Sequence, residues 1–598
     1  MKFRRMAAGI AALAISISGL AFGAGTAMAE EDGTLPTLGK TLTITAGSAD
    51  QIAGHEFTAY QLASYTAVES LGTVTVKTTD AAYENVSAAM TDITKGNAEA
   101  DKYTAKKGDP LVWALQKHGI LDSKDTQPWD GTTRKLAEQL KPESLGDYAA
   151  KVTAGADATS VQLNVAPGLY YIVDSTAAAQ LTSSKWTRSL SMIASTALTV
   201  KGDKGDEELS DGTVQLKNQS LPIYKQVVKP EGKDYVSQEQ PDYAVGDDVY
   251  YELTSEVPVF TGYELDSRVL KIIDTMSKGL TYQGLDRVTV TKDGQTLTLK
   301  KDIDYTVEIS QLGTYEPSQP THVSGSLEGR ATQITIDFGK CVNQEGDAQK
   351  LLEGGAITVI LHATLNEEAL VSTPGDPQGN PNKVDLKFGN SSTNEIHMIP
   401  GGEVNVYTFK FQLLKHDQNG KPLAGAKFTV KSDKGWLKTA PTGEEGWTTT
   451  DDEKFAKVFT SDDHGMITGL DGLDAGTYTV KETEAPEGFQ DLVLPTFSFT
   501  ITPKYNQDPA TERPGSAVWG DYVMTNVDFS DPSGDTWDLV KKDDKVTFQY
   551  NVENVPSIIE LPKTGAAGAI MFSAITLFAG CAAALLFVQS RKVRSARR

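Results

Sequence analysis

Short runs in which apolar and polar residues alternate constrain this chain more than any other feature. Leu42-Thr43-Ile44, Val249-Tyr250-Tyr251-Glu252-Leu253, Ile334-Thr335-Ile336 and Phe497-Ser498-Phe499-Thr500-Ile501 each place alternate side chains on one face. Gly, Pro, Asn and Asp bound them. A period of two suits a strand with one dry and one wet face, and many such strands joined by tight turns build β-sandwiches. The chain is therefore expected to be all-β, with helical spacing confined to Asp80–Ile93 and Asp109–His118.

At 598 residues the chain is too long for one core. It divides into three blocks of domain size, 30–216, 217–402 and 403–556, with a charged, solvated loop expected over Lys201–Glu208 near the end of the first. The net charge of -23 repels nucleic acid and excludes it as a main partner. Of the two cysteines, Cys581 lies in a C-terminal apolar run, which leaves Cys341 without a disulfide partner in the body. There is no H-E-x-x-H, Walker loop or G-x-S-x-G, and the seven His lack ligand spacing, so no enzyme, metal or cofactor is expected. Asp417 to Gly420 lacks the spacing of a calcium loop and reads as a hairpin turn.

Both ends carry address signals. Lys2, Arg4 and Arg5 precede an apolar stretch and the small-residue site Ala27-Met28-Ala29, which predicts a secretory signal peptide over 1–29, cleaved after Ala29. The segment 557–598 holds Leu561-Pro562-Lys563-Thr564-Gly565, an apolar transmembrane run over about 566–588 and a basic tail. That order resembles the cell-wall sorting signal of Gram-positive surface proteins. The resemblance implies a sortase that cuts between Thr564 and Gly565 and holds Thr564 as a thioester until an amine displaces it, making the membrane span temporary.

In the third block, Lys415 to Phe428 and Gly476 to Phe489 together resemble the collagen-adhesin B-type immunoglobulin-like domain. Tyr478-Thr479-Val480-Lys481-Glu482-Thr483-Glu484-Ala485-Pro486-Glu487-Gly488-Phe489 matches the E-box of Gram-positive pilins, with Val480 for Leu and Phe489 for Tyr. Such domains imply an intramolecular isopeptide bond. Alternation puts Glu482 on the face of Tyr478 and Val480, Asn554 on that of Phe548 and Val552, and Lys415 on that of Phe411 and Leu413. Lys415 is the favoured amine and Lys410 the alternative. Burial disfavours both charges, so a neutral Lys would attack the Asn carbonyl while a protonated Glu polarises it and ammonia leaves.

The second block resembles the collagen-adhesin A-type domain of pilins. Lys225 shares a face with Ile223 and Val227, and Asn390 shares one with Val384, Leu386 and Phe388. Asp274 lies in the strand and turn that carries the acid in that family, with Glu252 and Glu256 as alternatives. The first block has the strand rhythm in Pro167–Asp174 but neither the Glu nor a terminal Asn, and no bond is expected there.

Val214-Gln215-Leu216-Lys217-Asn218, at the junction of the first two blocks, resembles the pilin motif, making Lys217 the matching amine. Gln215-Leu216 stand where the motif has Tyr-Pro. Taken whole, the chain resembles the major (backbone) pilins of sortase-assembled fimbriae. The resemblance implies a wall-anchored surface fimbria supporting adhesion. Its partners would be a pilin-class and a housekeeping sortase, further copies of this chain, minor tip and base pilins, peptidoglycan, and host glycans or matrix proteins. The alternative is a wall-anchored monomeric adhesin or minor pilin.

Overall fold

The computed structural model describes residues 36–554, apart from 69–72, 117–130, 182–183, 203–204, 262, 318–324, 345–351, 443–445, 490–493, 508–521, 531–537 and 543–544. The expected signal peptide, the expected sorting motif at 561–565 and the C-terminal apolar run lie outside the described residues. Among those described, no helix is long and apolar enough to cross a membrane.

Strands dominate, and the quoted alternating runs all lie within them. The first layered unit sets Thr41–Thr45, flanked by Thr213–Gln215 and Ser160–Asn164, against a sheet built on Glu56–Val68 and Gly168–Asp174. Gly168–Asp174 is apolar on both faces because both are covered. Tyr170 and Ile172 meet Leu42 and Ile44, while Leu169 and Tyr171 meet a second core with Val86, Met90, Trp113 and Leu136. That second core lies under the helices Tyr83–Ile93, Pro110–Gln116 and Thr132–Gln139. The first two fall within the expected helical stretches, and the third was not foreseen. Leu198–Gly202 and Gly205–Ser210 pair antiparallel where a solvated loop was expected. The charges of that segment hid a hairpin, whose ladder does not require an apolar face.

The middle sandwich packs two sheets over a core from Leu221 to Val406. One runs, in order, Asp234–Ser237, Ile223–Glu231, Asp248–Glu256, Ala356–Leu365, Leu280–Lys292, Gln295–Thr298. The other runs Thr306–Thr314, Glu328–Asp337, Arg268–Met276, Asn380–Asn390, Glu395–Val406. Its last strand continues unbroken through Gly402, past the point where sequence composition divides the blocks. The last sandwich is centred on Phe409, Phe428, Val480, Phe499 and Val552. There Gln412–Asp417 lies parallel to Lys545–Asn554, while Gly476–Glu484 is central in the facing sheet. Asp417 Oδ1 accepts from the Asn419 and Lys421 N–H groups, making the expected turn.

The units dock through backbone as well as side chains. Arg188 reaches from the first to the middle unit, donating from its backbone N–H to Glu395 Oε1 (2.8 Å) and from Nε to Oε2 (3.1 Å). Between the middle and last units, Val245 N–H donates to Gly472 O (2.9 Å) and Trp447 N–H to Val245 O (3.0 Å). Asp242 adds two acceptors there, to Ala475 N–H (3.0 Å) and Tyr505 O–H (3.1 Å).

Candidate functional site

Two lysines are sealed into the sandwich cores, each against a carboxylate. In the middle unit Lys225 lies on the inner face of Ile223–Glu231, between the buried Ile223 and Val227. Its Nζ donates to Asp274 Oδ2, which comes from Arg268–Met276 in the opposite sheet, and neither side chain is exposed. The Tyr251 ring lies 4.6 Å from Nζ and closes the site from the side. Burial lowers the Lys225 pKa and raises that of Asp274, each against the attraction of its partner. Desolvation thus drives both toward the neutral forms, a nucleophilic amine and a proton-donating acid.

Of the alternatives to Asp274, Glu252 is half-buried and accepts from Gln226, and Glu256 is exposed. Asn390 is not brought to the pair. Strand register places Val384 opposite Asp274 and Asn390 opposite Arg268. The six-residue offset along a strand is roughly 20 Å. Asn390 instead caps the turn that follows it, accepting from Ser392 N–H (3.1 Å) and Oγ (2.8 Å).

The asparagine at the pair is Asn382, which sequence reasoning missed. It lies opposite Met276, is fully buried, and acts on Asp274 as a hydrogen-bonding neighbour that favours ionisation, against the larger effect of burial. Among the described residues, its amide nitrogen and oxygen, and Asp274 Oδ1, have no hydrogen-bond partner of ordinary geometry. Three orphaned polar atoms beside one buried lysine are expensive to maintain, at about 1–3 kcal/mol each. Joining the Lys225 amine to the Asn382 carbonyl carbon would put a new amide N–H next to the Asp274 carboxyl. Asn382 shares its parity with Val384, Leu386, Phe388 and Asn390, so alternation alone leaves both asparagines eligible, and only register separates them.

In the last unit Lys415 Nζ lies 3.1 Å from Glu482 Oε2, with both side chains fully buried. Parity anticipated both inward orientations. Lys410 is half-buried and its backbone pairs with Asp471, away from Glu482's strand. Lys415 stands opposite Val552 in the parallel ladder, and Asn554 is opposite Asp417, one diagonal step from Lys415. In the first unit the most buried acid among the described residues, Asp174, is engaged by His55 at 2.7 Å, by Thr176 and by Ser189 N–H, and by no described lysine.

Lys217 follows the Thr213–Gln215 strand between the first two units. Its neighbours Leu216 and Asn218 are buried. Asn218 is pinned to Gln51 by two hydrogen bonds, Gln51 Nε2 to Oδ1 (2.8 Å) and Nδ2 to Gln51 O (2.9 Å). Lys217 itself is half-buried, and burial, with a contribution from Arg134, lowers its pKa.

Residues 245–392 match the family Gram-positive pilin backbone subunit 2, Cna-B-like domain, and residues 409–511 match SpaA, prealbumin-like fold domain. The first description is Cna-B-like where sequence resemblance suggested the A-type. No curated protein matches the chain by sequence. Among solved structures the chain is similar to the full-length major pilin SpaD from Corynebacterium diphtheriae, at 15% identity and TM-score 0.40, covering 87% of this chain and 97% of that one. The fimbrial protein FimP from Actinomyces oris gives 16% identity and TM-score 0.38, covering 88% and 100%. BcpA, the major pilin subunit of Bacillus cereus, gives 13% and 0.35, covering 86% and 99%.

Proposed function

We propose that this chain, which carries the domains of Gram-positive pilus backbone subunits and is a structural subunit of a cell-surface pilus, forms a shaft made of covalent bonds within and between copies. Within each copy, Lys225 joins Asn382 beside Asp274, and Lys415 joins Asn554 beside Glu482, each bond releasing ammonia. Between copies, a pilin-class sortase forms a thioester with Thr564 of one subunit and transfers it to Lys217 of the next. A housekeeping sortase then joins the base to peptidoglycan. Signal cleavage after Ala29 and temporary retention by the apolar run precede these steps.

The observation that carries this reading is the pair of sealed lysine–carboxylate contacts in two successive sandwiches, with Asp274 inside the matched pilin backbone region 245–392 and Lys415 and Glu482 inside the matched prealbumin-like domain 409–511. A buried ion pair is a poor way to gain stability, because removing two charges from water offsets their attraction. Two such pairs are better explained as reactants than as braces. The test is extraction of cell walls in hot detergent: a ladder of high-molecular-weight species that disappears with Lys217→Ala supports the shaft. A single monomer-sized band unchanged by that substitution would instead identify a singly attached adhesin or minor pilin.

A further inference from the structure

Asn390, which has no place at the Lys225 pair, shapes a hairpin tip that enters the first unit. The strands Asn380–Asn390 and Glu395–Val406 meet there, with Asn390 opposite Glu395. Besides the cap from Asn390 to Ser392, Ser391 donates from N–H (2.7 Å) and Oγ (2.9 Å) to Ser267 O, which ties the tip to its own unit. Gly389 has φ of +145°, and a Cβ there would lie 2.0 Å from Glu395 O, so only glycine lets the two strands close this tightly. The tip carries Glu395 and His397, both buried and on one side of their strand.

The first unit receives them on Ser184–Leu190. His397 Nδ1–H donates to Ser184 O (2.9 Å), and Arg188 holds Glu395 through its N–H and Nε. The residues flanking Arg188 bind the segment that carries Lys217. Thr187 N–H donates to Gln219 O (2.9 Å) and its Oγ1 accepts from Gln219 N–H (3.0 Å). Ser189 Oγ accepts from Lys217 N–H (3.1 Å), and Leu190 N–H donates to Lys217 O (2.9 Å). Asp174 anchors the clip to the first unit, its O accepting from Arg188 Nη1 (2.7 Å) and its Oδ2 from Ser189 N–H (2.8 Å). Gln219 completes the ring to the middle unit, donating from Nε2 to Val259 O (2.8 Å) and accepting at Oε1 from Val259 N–H (3.1 Å).

We propose that this hairpin tip is a positioning element for fibre assembly: Glu395 and His397 hold Ser184–Leu190, that segment fixes the backbone of Lys217, and Asn390 sets the shape of the tip. This rests on Lys217 being the acceptor. A lysine on a fixed backbone has fewer arrangements to lose when its amine is brought to a thioester, so orientation is supplied before the encounter. In the transfer, the Nζ lone pair forms the C–N bond to the Thr564 carbonyl carbon. The C–S bond breaks with its electron pair on sulfur, and the proton lost from nitrogen ends on the thiolate.

The test uses the full exported chain as acceptor, a pilin-class sortase, and a labelled peptide containing Leu-Pro-Lys-Thr-Gly as donor. Glu395→Gln keeps the shape of the side chain and removes its charge. It should raise amide hydrogen exchange at Lys217 and Leu190 without changing exchange in the last unit, and should slow transfer several-fold, in kcat rather than in the KM for the acceptor. Asn390→Ala should move both readouts the same way. Asn390→Asp, whose carboxylate can still accept from Ser392, should restore both. Thermal unfolding checks that each variant is folded, and the Asn390 pair carries the test if Glu395→Gln is not. Faster exchange together with slower transfer supports the proposal. Unchanged exchange, unchanged transfer, or transfer faster than wild type, the mark of a tip that shields Lys217, overturns it. Continued labelling of Lys217→Ala would refute the acceptor itself, and the exchange data would still report whether the tip holds the segment.

Discussion

Asn382 and Asp274 sit on neighbouring strands one diagonal step apart, both fully buried, with the Lys225 amine on Asp274. Asn390, on the same strand and the same face as Asn382, is at the opposite end of the ladder.

The two asparagines therefore give opposite expectations. Intact mass of the wild-type middle unit within the full chain should fall by one ammonia on account of Lys225. Asn382→Ala and Asp274→Ala should abolish that loss, and Asn390→Ala should leave it in place. By analogy with other cross-links closing long loops, losing the bond should cost about 5 kcal/mol of stability. If Asn390→Ala retained the ammonia equivalent instead, the assignment to Asn382 would be wrong.

For the last unit, Lys415→Ala should keep the ammonia that wild type loses, whereas Lys410→Ala should lose it normally. Glu482→Gln preserves shape but removes the acid, so bond formation should become slow enough to follow by mass spectrometry over time.

The two docking surfaces should respond to acid with opposite signs. Burial raises the Asp242 pKa to about 6, partly opposed by Ala475 and Tyr505. The folded chain thus binds a proton that the unfolded chain releases near 3.9, so stability falls as pH rises from about 4 to 6 and then levels off. Asp242→Asn should be more stable than wild type at pH 7, on the order of 2 kcal/mol, with the difference vanishing toward pH 4. Denaturant titrations at several pH values would measure this.

Burial raises the Glu395 pKa, but His397 and Arg188 outweigh it and the net shift is downward. Its contribution is present above the unfolded carboxylate range near 4.3 and is lost as pH falls through the lower folded value. Glu395→Gln should cost about 2 kcal/mol at neutral pH, and protease cleavage between the first two units should increase. That deficit relative to wild type should shrink under strong acid.

Gly446 has φ of +84°, and a Cβ there would lie 2.0 Å from Val245 O across the second docking surface. Gly446→Ala should destabilise by about 2 kcal/mol or more through backbone strain and that clash. Small-angle scattering should show a wider spread of angles between the middle and last units.

Alternation was a sound guide wherever one face is dry. It oriented Lys225, Lys415 and Glu482 inward, and it located the strands around Val249 and Phe497. It could not choose between Asn382 and Asn390, because residues of one parity are equivalent until a partner strand fixes their position along the ladder. The Thr132–Gln139 helix escaped notice because its short sequence, with only Leu136 and Ala137 as apolar core contacts, gives too few turns to establish a helical period. The hairpin at Leu198–Ser210 was hidden by charge. Docking contacts such as Arg188 with Glu395 join residues remote in sequence and leave no local pattern.

The parallel pairing of Gln412–Asp417 with Lys545–Asn554 places the entry and exit strands of the last unit side by side. If the proposed Lys415 to Asn554 bond forms, a pull on the C-terminal end would pass directly into the entry strand and on toward the middle unit. The intervening strands would hang beside the line of force like a slack loop beside a taut rope. Stretching a fibre of such units would strain covalent bonds first and leave most of each sandwich folded.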